Sequence, residues 1–284
     1  MAATYYPTGL RPLVRATDAV GSVILRIGHL AAFLGRALVS IPTALRHYRK
    51  ECLRILSDVT WGNGSIVVGG GTAGVIIVLG GAAGAIVGIE GYNALHLLGM
   101  EPATGMVAST ATTRELAPIM ASLAFAAQAG CRFTAQLGAM RISEEIDALE
   151  ALAIRPIPYL VSTRLFASIV AVIPLYLVCL AVNYVSVQLV VGLSGGLSGG
   201  TYQHYFELVL NPTDIMYSLI KAVIFVVITT TIQCYYGFYA HGGPQGVGTA
   251  SGRAMRASIS VMIVANLLLT VAFWGVGSGA RLSG

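Results

Sequence analysis

Long apolar runs separated by short polar segments dominate the sequence from residue 66 onward. The first run, residues 66–89, holds 24 residues without a charge, which is enough to cross about 30 Å of hydrocarbon as a helix. The second run is longer and is interrupted by Arg114, Glu115, Pro118 and Arg132. We therefore predict an irregular start near Pro118 for the second helix and five membrane-spanning helices in all, at about 66–89, 104–138, 163–191, 214–238 and 257–277.

The first 60 residues follow a different pattern. Residues 1–15 are polar and contain two prolines, which predicts a flexible tail. In residues 16–60, basic residues interrupt the apolar ones so often that no uncharged run reaches about 18 residues. This pattern is typical of amphipathic helices that lie in the membrane interface with their basic face toward the headgroups. A single membrane domain then covers residues 61–284.

Composition supports a membrane protein and excludes several classes of soluble protein. Hydrophobic residues make up 56% of the chain and charged residues 10%, whereas a soluble domain has about 25% charged residues. The net charge of +5 does not indicate a nucleic-acid partner, because the basic residues lie between apolar segments. The four cysteines and five histidines are scattered, without the spacing of a metal site or a catalytic constellation. We predict an all-α integral membrane protein with no catalytic residues, no metal site and no cofactor of its own.

The distribution of Lys and Arg predicts the orientation in the membrane. Of 17 such residues, eight precede residue 60, three lie in residues 139–165, and Arg253 and Arg256 lie between the last two spans. The alternate loops, 90–103 and 192–212, contain none. Because basic loops stay on the cytoplasmic side, we predict a multi-pass protein of the plasma (inner) membrane with its N-terminus in the cytoplasm and its C-terminus outside.

Small residues form a stripe along the first span. At about 100° per residue, five glycines lie on one side of that helix. Glycine allows another backbone to approach closely, which is how helices associate in membranes. The stripe predicts either helix packing or a lipid path, and the sequence leaves both open for Gly70, Gly74, Gly81, Gly84 and Gly88.

Two glycine-rich segments resemble nucleotide-binding motifs. Residues 66–74 contain G-x-G-x-x-G with Glu90 about 20 residues on, as in a flavoenzyme. That alternative needs alternating strands and helices, whereas the apolar run continues to Ile89. Residues 241–252 lack the Gly-Lys-Ser/Thr of a P-loop and are predicted to be a flexible cytoplasmic turn. If transport uses ATP, another subunit must supply it.

A short acidic helix is predicted at about 143–153, between the second and third spans. Ser143 is a candidate N-cap, and Pro156 follows the helix. Ile146, Leu149 and Ala153 share one face, which we expect to dock on a protein, because the acidic residues disfavour an anionic membrane leaflet. The residues predicted to couple to that partner are Glu144, Glu145, Ile146, Asp147, Leu149 and Glu150.

Residues 137–164, LGAMRISEEIDALEALAIRPIPYLVSTR, closely resemble the signature loop of MlaE/YrbE permeases. Residues 114–118 (RELAP), Asp214, Lys221 and residues 242–248 (GGPQGVG) fit the same pattern. The resemblance covers about residues 30–275. Its sequence is most similar to that of B-type YrbE proteins from actinobacterial Mce systems.

The resemblance implies an ABC transporter permease that passes lipid through the membrane. Two ATPase subunits, which bind ATP and Mg, would dock on the helix at 143–153. A second YrbE-type permease would complete a heterodimer, and Mce proteins outside would deliver fatty acids, sterols or related lipids for import. A secondary transporter or channel without an ATPase is the alternative, but it does not explain the acidic helix.

Charged residues predicted at membrane depth are costly there and are functional candidates. These are Arg114, Glu115, Arg132 and Lys221. Arg114 and Lys221 could equally be residues whose side chains reach the interface, whereas Arg132 is expected in a buried pair. The chain also departs from the family, which often has Arg at Gln128, Glu at Gln136 and an acid at Asn266. The first two departures suggest that a partner permease carries the charged residues.

Overall fold

The computed structural model describes residues 11–60, 71–194 and 199–275, and within these ranges the chain is helical with no strand. The helices are α1 (Arg11–Val39), α2 (Ile41–His47), α3 (Arg49–Thr60), α4 (Gly71–His96), α5 (Glu101–Ile142), α6 (Glu145–Ala151), α7 (Ile157–Leu193), α8 (Gly199–Val209), α9 (Pro212–Phe238) and α10 (Gly243–Trp274). No strand accompanies α4, so the glycine-rich segment before it does not have the surroundings that a flavoenzyme needs among the described residues.

Five of the described helices, α4, α5, α7, α9 and α10, are long and apolar enough to cross a membrane. This confirms the predicted all-α membrane fold with five spans. By length and composition, Ile27–Val39 of α1 and Ile41–His47 of α2 form a further candidate, bent by 41° between them. The assignment of residues 16–60 to the membrane interface stays a prediction.

The second span is a continuous helix of 42 residues, longer than the predicted 104–138. Two π-helical turns widen it, at Thr112–Leu116 and Ala126–Gly130. The first of these ends two residues before Pro118, so the irregularity that the sequence predicts near Pro118 lies inside the helix rather than at its start. Such turns often mark functional sites within helices.

The last span begins earlier than predicted. α10 starts at Gly243, so most of residues 241–252, predicted as a flexible turn, is helical. The reason is packing: the side chain of Val247 lies against Gly138 of α5, where an added Cβ would approach it to 2.9 Å. A glycine on one helix thus gives room for a branched side chain on the other, and this contact orders the segment.

The N-terminal helices pack against the spans. α1 begins at Arg11, inside the predicted tail, and residues 1–10 lie outside the described residues. Phe33 of α1 is buried against Phe238 at the end of α9. Cys52 of α3 is also buried; burial raises the pKa of its thiol, and the neighbouring Glu51 adds to this effect. Phe33 and Cys52 therefore attach α1 and α3 to the bundle, whereas much of the remaining surface of residues 27–60 is exposed.

The connections between spans define two ends of the bundle. α6 follows the last residue of α5 and precedes α7, and we call that end the acidic end. α8 connects α7 to α9 at the opposite end. α1 packs at the acidic end, where the Ser162 hydroxyl of α7 donates a hydrogen bond to the carbonyl of Ala37 at 2.8 Å.

Candidate functional site: a buried charge cluster and an acidic helix

The first part of the site is built on the π turn of α5. Pro118 has no N–H, so it cannot donate to the carbonyl groups one turn before it. Those carbonyls accept hydrogen bonds from α9 instead: the Ser218 hydroxyl donates to Thr113, and the Lys221 ammonium donates to Arg114 at 2.8 Å. The proline and the π turn thus expose two backbone acceptors to a neighbouring span.

Arg114 forms an ion pair with Asp214 in the first turn of α9. Its Nη2 and Nε lie 2.8 and 3.0 Å from one Asp214 oxygen. The other oxygen accepts a hydrogen bond from the Trp274 indole N–H at 2.7 Å. The guanidinium also lies 5.4 Å from the centre of the Trp274 ring, a cation–π distance. The end of α10 therefore closes over the pair.

Glu115 and Lys221 form a second pair beside the first. The Lys221 ammonium is fully buried and lies 3.2 Å from Glu115 Oε1. It also donates to the Thr270 hydroxyl at 2.9 Å. Glu115 accepts from Thr270 at 2.7 Å and from the Asn266 amide at 2.7 Å. A buried ammonium requires hydrogen-bond acceptors and a counter-charge. Glu115, Thr270 and the Arg114 carbonyl supply them to Lys221.

Together these residues join three spans without net charge. Two cations and two carboxylates alternate on α5 and α9, and Asn266, Thr270 and Trp274 of α10 complete their hydrogen bonds. Because the Lys221 side chain is fully buried, it does not extend to the membrane interface. The cluster lies toward the opposite end of the bundle. We call it the charge cluster; its members are Arg114, Glu115, Asp214, Lys221, Asn266, Thr270 and Trp274.

Arg132 is not part of this cluster. Its Nη2 lies 3.5 Å from the Asp58 carboxylate, and its Nη1 donates to the Asp58 carbonyl at 3.1 Å. Its side chain is 37% exposed. Arg132 therefore has an acidic partner, as expected, but the pair is not deeply buried. The reason is that α3 brings Asp58 to the bundle surface at the acidic end.

The acidic helix is shorter than predicted and is capped differently. α6 covers Glu145–Ala151, and its N-cap is Glu144, in the left-handed conformation with φ 60°. Ser143 instead ends α5, where its hydroxyl donates to the Ala139 carbonyl at 2.9 Å. Ala153, with φ 59°, lies beyond the helix. Two left-handed residues thus bracket α6 and set its angle to the spans.

The apolar side of α6 faces the chain's own core rather than solvent. Ile146 is 1% exposed, and Leu149 packs half-buried against the same core cluster. Ile146 is therefore not available to a docking partner, whereas docking through the other residues of α6 stays a prediction. The exposed side carries Glu144, Glu145, Asp147 and Glu150. Asp147 is paired with Arg141 of α5 at 2.6 Å, so the surface that α6 offers is acidic and is held firmly by the core beneath it.

The glycine stripe of α4 packs against α7. A Cβ on Gly84 would lie 2.5 Å from the Asn183 carbonyl oxygen, and one on Gly88 would lie 3.0 Å from the Val190 side chain. Gly80, which the sequence analysis missed, lies against Cys179 in the same way. These contacts leave no room for lipid at Gly84 or Gly88. Gly81 and Gly74 are half-buried, and Gly70 lies outside the described residues.

Comparison with known proteins places this architecture. A family model described as Permease MlaE matches residues 63–272. The chain belongs to the MlaE permease family. The matched region of this MlaE permease contains α4 to α9, α6 included, and all of the charge cluster except Trp274. The family resemblance seen in the sequence is confirmed, and the narrower likeness to actinobacterial YrbE proteins stays a prediction.

Three similar proteins illustrate the breadth of the MlaE permease family. A probable ABC transporter permease protein of Rickettsia prowazekii is 32% identical over 197 residues, covering 66% of this chain and 73% of its own length. Protein TRIGALACTOSYLDIACYLGLYCEROL 1, chloroplastic, of Arabidopsis thaliana is 34% identical over 65% of this chain and 53% of its own length. The intermembrane phospholipid transport system permease protein MlaE of Haemophilus influenzae is 28% identical, over 67% and 74%.

Gln136, where the family resemblance leads us to expect a glutamate, lies beside a buried arginine. Arg164 of α7 is only 7% exposed, and its Nη2 donates to the Gln136 amide oxygen at 3.2 Å. Its Nη1 donates to the Leu160 carbonyl at 2.7 Å, and its Nε has no partner among the described residues. A glutamate at 136 would give this buried cation a carboxylate. The sequence analysis missed Arg164 because it counted it with the loop charges.

Replacing Gln136 with Glu is expected to stabilise the chain by up to about 1 kcal/mol, because the hydrogen bond from the Arg164 guanidinium to a neutral amide becomes an ion pair at an exposed position. The matched control is Gln128→Glu, which adds the same charge at an exposed position of the same helix. The measurement is the unfolding temperature of the detergent-solubilised variants. Equal shifts for the two variants, or a gain that survives an added Arg164→Met change, would contradict the pairing.

Proposed function

We propose that this MlaE permease is the membrane subunit of an ABC-type lipid transporter of the plasma membrane, driven by a separate ATPase that docks on α6. The observation that carries the proposal is the construction of α6, whose carboxylates are exposed while its apolar side is anchored in the core. The names of the similar proteins, which include ABC transporter permeases and a phospholipid transport system, support it.

An exposed acidic helix suits a protein partner better than a membrane surface. Carboxylates are repelled by an anionic leaflet, whereas a basic groove on a cytoplasmic ATPase would attract them. The orientation predicted from the Lys and Arg distribution places α6 in the cytoplasm, where ATP is available. The ATPase would bind ATP and Mg, and this chain would supply no catalytic residue.

The fold offers a direct route from α6 to the charge cluster. Both are attached to α5: Arg114 and Glu115 lie on its π turn, and α6 begins at Glu145, after a two-residue link from the last residue of α5, Ile142. At about 1.5 Å per residue, about 40 Å of helix separates them. ATP-driven closure of the partner would move α6, and with it α5, relative to α9 and α10. The hydrogen bonds of the charge cluster would then be remade in a second arrangement, which is the two-state element that coupling requires.

The remaining partners are inferred from the YrbE resemblance. A second YrbE-type permease would complete the transporter, and the uncharged Gln128 and Gln136 of this chain are consistent with a heterodimer in which the partner carries charges. Mce proteins outside would deliver fatty acids, sterols or related lipids for import. The packed glycines of α4 mean that the lipid path runs elsewhere than along Gly84 and Gly88.

Reversing two charges of α6 tests the proposal. In a Glu145→Arg/Glu150→Arg variant, two of the four exposed carboxylates of α6 are replaced without touching Ile146 in the core. We expect the amount of ATPase that co-purifies in mild detergent to fall at least tenfold, because like charges brought together cost several kcal/mol. The measurement is mass spectrometry of the subunits that accompany the tagged chain.

The control is Glu207→Arg, which changes an exposed carboxylate on α8 at the opposite end and should leave co-purification unchanged. If the ATPase still co-purifies with the α6 variant, α6 is not its docking site. A wild-type chain that purifies as a solitary oligomer, with no ATPase or second permease, would favour a secondary transporter or channel.

A further inference from the structure

An open groove of about 660 Å³ lies at the acidic end, away from the charge cluster. One side is the end of α1 and the residue that links it to α2, and the other is the segment that connects α6 to α7. The lining consists of Ala32, Gly35, Arg36, Val39 and Ser40, together with residues 155–158. Nothing in the transport mechanism described above uses this groove.

The groove contains hydrogen-bond donors that lack acceptors. Arg36 and Arg155 are both exposed, and neither guanidinium has a hydrogen bond or an ion pair with another residue in the described part of the chain. The Ser40 hydroxyl, half-buried in the same lining, likewise has no acceptor there. Guanidinium groups bind phosphate oxygens in bidentate fashion. Two of them with a hydroxyl form a donor set suited to a phosphate.

The surface around the groove is apolar. Val39 in the lining is 81% exposed, and the adjacent Leu38 is 40% exposed. Side chains of this kind on a membrane protein face acyl chains rather than water. Arginines beside such a surface lie at the boundary between acyl chains and headgroups, where long basic side chains settle.

At the acidic end, the acidic side chains of α6 and the arginines of the groove occupy different surfaces. The exposed carboxylates lie on α6, whereas Arg36 and Arg155, two of several arginines at this end without an ion pair among the described residues, line the groove beyond the end of that helix. An anionic lipid would be repelled by α6 and attracted to the groove. A protein partner that is basic enough to bind α6 would be repelled by Arg36 and Arg155. The groove and α6 therefore suit different partners.

We propose that this groove binds the headgroup of an anionic phospholipid of the surrounding leaflet. The phosphate lies between Arg36 and Arg155 within reach of Ser40, and an acyl chain lies along Ala32 and Val39. The site is separate from the transported lipid's path. By joining α1 to the segment after α6, the bound lipid fixes the position from which α6 moves, so the leaflet's anionic lipid content sets the stiffness of that connection.

The test uses the full chain, with the subunits that co-purify, in nanodiscs of phosphatidylcholine containing phosphatidylglycerol. Native mass spectrometry after release from the disc measures the phosphatidylglycerol that is retained. We expect the wild-type chain to retain phosphatidylglycerol in preference to phosphatidylcholine. Arg36→Gln/Arg155→Gln should lower that retention at least tenfold. The unfolding temperature of the double variant in pure phosphatidylcholine should equal that of the wild type, and Arg155→Gln alone serves if the double variant does not fold.

The matched control is Arg46→Gln, on α2, which removes an exposed arginine that does not line the groove and should leave retention unchanged. An equal loss in Arg46→Gln would overturn the proposal in favour of diffuse surface attraction. Unchanged retention in the double variant would also overturn it. So would a loss of co-purifying ATPase with lipid retention intact, because the groove would then be a protein contact.

Discussion

Replacing Glu115 with glutamine should lower the free energy of unfolding by about 3 kcal/mol, near the lower limit for breaking a buried ion pair. The amide can keep a hydrogen bond to Thr270 or Asn266, but the Lys221 ammonium, fully buried and 3.2 Å away, loses its counter-charge. The lower limit applies because the Glu115 side chain is 34% exposed. Chemical unfolding of the detergent-solubilised chain measures the loss.

The double variant Glu115→Gln/Lys221→Met separates charge from shape. Removing both charges leaves no buried ion without a partner, so most of the stability should return, and the double-mutant cycle then gives the coupling between the two residues. Glu90→Gln, an exposed carboxylate at the end of α4, should leave stability unchanged. If the double variant were as unstable as Glu115→Gln alone, the pair would not be the reason for the loss.

The second large effect is expected at Gly84. Alanine there would place Cβ 2.5 Å from the Asn183 carbonyl oxygen and 3.0 Å from its Cα, and backbone atoms cannot rotate out of the way. α4 and α7 would have to separate along their shared face. We expect a loss of at least about 2 kcal/mol, within the range for overpacked cores, measured as a lower unfolding temperature and weaker protease resistance.

Gly81 provides the matched control one turn away. Alanine at 81 would meet the Ser186 hydroxyl at 3.5 Å and Val182 at 3.6 Å, which are ordinary contact distances. Gly81→Ala should therefore be tolerated, and it should be slightly stabilising because alanine favours the helix. Equal losses at 81 and 84 would mean that helix propensity or lipid contact, rather than the fit against α7, explains both.

The sequence predicted the spans and the candidate charges, but not their partners. An uncharged run of sufficient length predicts a spanning helix whatever its neighbours are, which is why five spans were expected and five are found among the described residues, although α4 extends to His96 and α7 begins at Ile157. Lys221 was also recognisable, since a charge so far inside an apolar segment is rare. Its contacts with Arg114, Glu115 and Thr270 depend on how three helices are placed side by side, and no local pattern carries that information.

The errors of sequence reasoning have a common physical origin. The glycines of residues 241–252 predict a turn when the segment is considered alone, whereas packing of Val247 on Gly138 makes it helical. The apolar face of α6 was expected to contact another protein, but Ile146 is buried in the chain's own core. In both cases tertiary contacts decide what local propensity leaves open. Glu144, Glu145, Asp147 and Glu150 of α6 are exposed in the structure, and their predicted role in coupling stays a prediction.

Pro118 has a consequence for how the MlaE permease can vary over evolution. The groups that hold Ser218 and Lys221 in place are the carbonyl oxygens of residues 113 and 114, and every amino acid carries a carbonyl. These two hydrogen bonds between α5 and α9 therefore do not depend on which side chains residues 113 and 114 carry, whereas the ion pairs of Arg114 and Glu115 do depend on their side chains. The vulnerable position is the proline itself, since any other residue at 118 restores an N–H that competes for the same oxygens. A lineage that loses this proline should be found to have changed residues 218 and 221 as well.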